Sequence, residues 1–224
     1  MSLEKALAGP SVVFEIFGIP ITETVVSTWI VMAVIIVGAW ILTRRFEQLP
    51  RGLQNVAEAL VEGINDFTAS TMGEKNRWFA PYAGTLLIFI FLSNISGLFA
   101  LWPPTADAAT TLGLAMMTFV LIQYNNVKHK GLGGYIKALF WEPIPILFSP
   151  INIIGELATP ISLGFRLYGN ILAGVVIMGM IYSIVPILIP VPLHFYFDLF
   201  AGILQSFIFT MLTMVFVSMA TETE

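Results

Sequence analysis

Residues 25–42, VVSTWIVMAVIIVGAWIL, run for eighteen positions without a charged side chain. As a helix rising about 1.5 Å per residue, such a run nearly crosses the ~30 Å hydrocarbon core of a bilayer. Further apolar runs follow, and 57% hydrophobic against 11% charged residues over 224 positions lies far outside the soluble range. The chain is therefore expected to be an integral membrane protein forming one domain. Cysteine is absent, which removes disulfides, thiolate metal sites and thiol chemistry. No basic cluster of the nucleic-acid-binding type is present.

The apolar runs set the topology. The first twenty residues lack a basic region leading into a short apolar run, so the segment Val25 to Leu42 reads as a retained helix and not a cleaved signal. Arg44, Arg45 and Arg51 follow it and place that end in the cytoplasm, with the N-terminus outside. In residues 50–74, Leu53, Val56, Ala57, Leu60, Val61 and Ile64 recur at helical spacing opposite Glu58, Glu62 and Asp66, the pattern of an amphipathic helix at the inner surface. A second span is expected over Phe79 to Trp102, the outer turn PPTAD carries no basic residue, and a third span over Ala108 to Tyr124 returns to a loop with Lys128, Lys130 and Lys137. The proline-rich WEPIPILFSP reads as a short connection along the inner face. Long runs from Ile151 to Val185 and from Leu193 to Ala220, broken at PILIPVP, complete about five membrane helices, with the C-terminus inside. The expected fold class is all-α, with the interfacial helix as an extra element and the last two helices forming a hairpin.

Several local patterns carry no chemistry in this setting. The NIS at Asn94 lies within a span, and GLGG at Gly131 is too short for a phosphate-binding loop. His129 and His194 lack metal-ligand spacing, and no nucleophile stands beside a base, which argues against a hydrolytic or redox centre and against a bound cofactor.

Charge is nearly absent from the last two spans. After Lys137 the only Lys or Arg is Arg166, and the only acids before the tail are Glu142, Glu156 and Asp198. At ~100° per residue, Asn152, Gly155, Glu156, Thr159, Ser162, Arg166, Gly169, Asn170, Ala173 and Gly174 share one sector, and Ile153, Leu157, Ile161, Tyr168, Ile171 and Leu172 lie opposite. Close helix packing explains the glycines and Ala173. It does not explain Arg166, since a guanidinium at the centre of a span costs about 2.5–3.5 kcal/mol on insertion scales and cannot lose its proton. In the last span His194, Asp198, Gly202 and Gln205 share a face. In an antiparallel hairpin Gln205 lies near the level of Arg166, Asp198 about 18 Å toward the outside, and Glu156 and Asn152 roughly 15–20 Å toward the inside. This division suggests two aqueous half-channels separated by a fixed positive charge. An ion would cross only on a moving partner that carries a carboxylate, which Arg166 holds ionised in passing.

The run SLGFRLYGNILAG, followed by LQSFIFTMLTMVFVSMA, resembles the C-terminal half of subunit a of F-type ATP synthases. PTADAATTLGLA and VKHKGLGG extend the resemblance over most of the chain. It implies that Arg166 is the essential charge, with Asn170 and Gln205 as neighbours, and that the partner is the ring of c subunits. It further implies that the last two helices are tilted along that ring, that b subunits of the peripheral stalk are present, and that H+ or Na+ is carried. The expected ion-pathway residues are then Arg166, Asn170, Gln205, Asp198, His194, Glu156, Ser162 and Asn94, in a chain that is itself no catalyst. An interhelical hydrogen bond is the alternative role for Asn94, and an interfacial carboxylate that for Glu156. One departure stands out: the best-known bacterial pattern has Glu directly after AG and His seven residues before the Gln, where this chain has Val175 and Asp198. The domain divides into an outer segment (1–24), peripheral helices (25–149) and the pathway hairpin (150–224). The lack of a transit peptide favours a bacterial plasma membrane. A self-contained secondary ion transporter is the alternative, although the repeats typical of that class are not evident.

Overall fold

The structure, a computed structural model, describes residues 9–44, 52–99, 101–141, 149–184 and 189–221. Most of the expected inner connection and residues 185–188 of the outer turn fall outside this set, as do Arg45, Arg51 and Glu142.

Apolar runs in a bilayer must satisfy their backbone internally, and the chain does so with helices. In order these are α1 (Glu23–Thr43), α2 (Leu53–Met72), α3 (Ala80–Ile95), α4 (Ala108–Trp141), α5 (Ser149–Ile184) and α6 (Pro190–Thr221). Short 3-10 turns at Glu74–Phe79 and Ser96–Phe99 extend α3, and another at Pro104–Ala106 leads into α4. The all-α membrane domain expected from the sequence is present, with one addition. Val12–Ile16 (β1) and Ile19–Thr22 (β2) form an antiparallel hairpin ahead of α1. It turns at Phe17 and Gly18, both at positive φ (51° and 79°), as a two-residue hairpin whose twist matches its strands requires.

Among the described residues, four helices are long and apolar enough to cross a membrane: Glu23–Thr43, Glu74–Phe99, Ile154–Ile184 and Pro190–Thr221. The expected third span, residues 108–124, is helical but falls outside this group. It carries Thr111 and Thr118, which are buried against the bundle together with Asn125, and such side chains lower its hydropathy. Nor do Lys128 and Lys130 lie in a loop. The helix continues through them and breaks only at Gly131, whose φ of 70° and ψ of 159° glycine tolerates best. At about 1.5 Å per residue the 36-residue α5 extends well beyond ~30 Å of hydrocarbon, which a tilted helix accommodates.

Helices α3, α4, α5 and α6 enclose the main core. Leu86 and Ile90 meet Leu114, the α5 residues Leu163, Leu167 and Ile171, and Phe209. A second cluster joins Met72 and Phe79 to Ala83, Met214 and Val217, and fixes the C-terminal half of α2 on α3 and α6. Phe67 of α2 stacks on Phe207 at 4.8 Å. The apolar stripe at the start of α2 is uncovered: Leu53, Val56, Leu60 and Val61 are all exposed. Glycine sets the closest crossings. A Cβ at Gly164 would lie 3.0 Å from Leu112 Cδ2, and one at Gly202 would lie 3.0 Å from Asn94 Cβ. Helix α1 stands at the edge, apolar on all sides, and touches the bundle through Thr24, Ser27 and Val31.

Candidate functional site

The polar sector of α5 faces outward from the chain. Gly155, Ser162, Arg166, Gly169, Asn170 and Ala173 are exposed, whereas Leu163, Gly164, Leu167 and Ile171 are buried in the bundle. Gly155 and Gly169 have nothing within 4 Å of an added Cβ, so close packing inside this chain does not account for them. Gly174 does pack, with its Cβ position 3.6 Å from Phe197. Arg166 makes no hydrogen bond or ion pair with the described residues. It borders a cavity of about 260 Å³ together with Gly155, Thr159, Ser162, Leu212 and Phe216.

One helical turn further along, Asn170 Nδ2 donates to Gln205 Oε1 at 2.8 Å. This bond joins α5 to α6 beside Arg166, in agreement with the level of Gln205 in an antiparallel hairpin. Gln205 itself is buried. Beyond the bond lies a second cavity, of about 580 Å³, bordered by Gly97, Val175, Tyr182, His194 and Asp198, with Glu23 contributed by α1. No residue borders both cavities.

Asp198 sits in a π-helical turn, Phe195–Phe200, inside α6. Such a turn inserts one residue into the helical repeat and rotates the side chains on its N-terminal side relative to those on its C-terminal side. His194 Nδ1 bonds Asp198 Oδ2, and His194 Nε2 bonds the Tyr182 hydroxyl at 2.7 Å. A Cβ at Gly97 would lie 3.4 Å from the Asp198 carboxylate, so glycine leaves room for that acid. After the π-turn, Gly202 O accepts from Asn94 Nδ2 at 3.1 Å, and Asn94 Oδ1 accepts from Thr105 Oγ1 at 2.7 Å. Asn94 is thus buried within an interhelical hydrogen-bond network and does not border the second cavity.

Glu156 is held by α4. Its Oε2 accepts from Tyr135 Oη at 2.7 Å and from Gln123 Nε2 at 3.2 Å, both on α4. Burial, with the Glu156 bond and charge added, raises Tyr135 to about 12, so it stays a neutral donor at any working pH. The side chain of Asn152 lies outside the described set. Asp107 accepts from Thr24 Oγ1 at 2.8 Å and caps α4 through the Ala109 amide, tying the turn before α4 to α1. Sequence reasoning brought Arg166, Asn170, Gln205, Ser162, His194 and Asp198 to the two cavities and the bond between them. It missed Tyr182, Tyr135 and Gln123, whose partners lie on other helices and leave no local pattern, and Glu23, which only the fold brings to the second cavity.

Known proteins resemble this chain over most of its length. The profile of the family described as ATP synthase A chain matches residues 25–218. The sodium-ion-specific ATP synthase subunit a of Propionigenium modestum is 39% identical over 218 residues, covering 90% of this chain and 75% of that protein. ATP synthase subunit a of Moorella thermoacetica is 36% identical over 210 residues, covering 93% and 95%. ATP synthase subunit a 2 of Acaryochloris marina is 36% identical over 208 residues, covering 91% and 87%. With almost every helix inside the matched region, and the Arg166 and Gln205 helices within it, this multi-pass membrane chain belongs to the ATP synthase A chain family.

Proposed function

We propose that the chain is the ion-translocating stator subunit of a rotary ATP synthase, offering two offset aqueous half-channels to a ring of c subunits with Arg166 as the barrier between them. The observation that carries this reading is a guanidinium without a partner among the described residues, on an exposed, small-residue face, with a cavity on each side of it along α5. An Arg left in hydrocarbon costs kilocalories, and the offset is a carboxylate on a partner helix that the small residues let approach. That carboxylate ionises beside Arg166, takes up H+ or Na+ in one half-channel and gives it up in the other as the ring turns. The cavity of Asp198 and His194 is the outer path, and that of Ser162 and Thr159 the inner one. Glu156 acts through α4 at the inner end, and Asn94 holds the wall of the outer path. Residues 150–224 form the pathway hairpin, 25–149 its peripheral support and 1–24 an outer segment. The chain lies in a bacterial plasma membrane, N-terminus outside and C-terminus inside, with stalk b subunits and lipid covering surfaces such as the start of α2.

Purification in mild detergent, with subsequent reconstitution, tests the assignment. Co-purification of ring and stalk subunits, with ATP synthesis driven by an imposed H+ or Na+ gradient, is expected. A stable lone chain that takes up ions by itself would favour a secondary transporter.

A further inference from the structure

We propose that Tyr182 is a positioning residue for the outer ion path: its hydroxyl fixes the His194 ring so that Nδ1 faces the Asp198 carboxylate. The proposal rests on the outer-path reading above. Three groups from two helices form one chain of hydrogen bonds. Tyr182 comes from the outer part of α5, and His194 and Asp198 flank the first residues of the π-turn in α6. All three border the same cavity of about 580 Å³. The Tyr182 and His194 rings are tilted by 53° with centroids 5.7 Å apart, so they meet through the hydroxyl and not face to face.

The pairing has a chemical consequence. A histidine presents a defined nitrogen to a carboxylate only when its other nitrogen is held. A phenol suits both protonation states by rotating about its C–O bond: it donates to Nε2 of neutral His194, and it accepts from Nε2–H of the cation. In either state Nδ1–H stays directed at Asp198, so the ring need not turn as the pair gains or loses a proton. The same fixing keeps one Asp198 oxygen engaged while the residue borders the cavity, an arrangement that serves a proton or a sodium ion. The other titratable side chain bordering this cavity is Glu23 of α1, and the bordering residues from Gly97 to Pro103 add none.

The test is gradient-driven ATP synthesis by the assembled complex in proteoliposomes, measured across outer pH for Tyr182→Phe, Asp198→Asn and the double variant. Tyr182→Phe removes one oxygen. It is expected to lower the rate about three- to tenfold and to displace the outer-pH profile, because the His194 ring that faces the Asp198 carboxylate is no longer held at Nε2. In the Asp198→Asn background it should add nothing further. An unchanged profile, or a uniform scaling of the rate at every pH, would overturn the positioning role, as would full additivity with Asp198→Asn. Full activity of Asp198→Asn alone would instead remove the outer-path reading, and this proposal with it.

Discussion

A carboxylate that relays an ion must meet water on one side and a controlled partner on the other. In the proposed outer path Asp198 meets both conditions, since it borders the larger cavity and bonds His194. Asp198→Asn keeps shape and hydrogen bonding and removes the ionisable group, so it should assemble normally and conduct at least about tenfold more slowly in a reconstituted ATP-driven pumping assay. Val175 borders the same cavity. Val175→Glu in the Asp198→Asn background should therefore recover part of the flux, and no recovery would show that the two positions do not serve one path. Gln205 is expected to tune Arg166 through Asn170 without carrying the ion. Gln205→Leu removes one interhelical hydrogen bond, worth about 0.5–1.5 kcal/mol, so coupled synthesis should fall several-fold and not vanish. At this scale the sequence was informative wherever a charge had no business in a bilayer, as with Arg166 and Asp198. It was silent on Tyr182, because a tyrosine near the end of a membrane helix is ordinary and only the fold brings it to His194.

Helices were legible because hydrophobic length alone demands them, and their ends mostly fell within a few residues of the expected limits. Two element-scale features were not. The π-turn at Phe195–Phe200 lies in an aromatic-rich run around Asp198, where an inserted residue leaves no mark on periodicity. The hairpin before α1 had a signal, the Phe-Gly pair between VVFEI and IPIT, but one too short to stand out beside the membrane runs. Glycine crossings hold the elements in register. Gly202→Val places atoms where Asn94 Cβ already lies 3.0 Å from the added Cβ, and Asn94 is fixed by Gly202 O and Thr105. Overpacking of this kind costs about 1–3 kcal/mol, so the variant should lower the yield of assembled complex and its thermal aggregation temperature. Gly169→Ala meets nothing inside the chain. It should leave thermal stability unchanged and act, if the ring packs there, on the rate of rotation.

For the whole molecule, the basic residues predict one orientation. In that orientation Lys128 and Lys130, just ahead of the Gly131 break in α4, face the cytoplasm and the hairpin turn at Phe17 lies outside. The natural absence of cysteine makes this simple to check. In sealed right-side-out cells, Phe17→Cys should react with an impermeant maleimide, and Lys130→Cys should react only after permeabilisation; the reverse pattern would invert the topology. What the sequence could not convey at this scale was the separation of the two cavities by the Asn170–Gln205 bond, which depends on how α5 and α6 meet. In the proposed mechanism the Arg166 guanidinium beside that bond is the barrier between the two paths. Its most direct test is coupled ATP synthesis and passive ion leak in reconstituted complexes carrying Arg166→Ala. Expected is a complex that assembles with its ring yet makes no ATP from an imposed gradient, and Arg166→Lys should fail too, because an ammonium lacks the planar multi-donor fork. Normal coupled synthesis in Arg166→Ala would show that no fixed charge at this position separates the two paths.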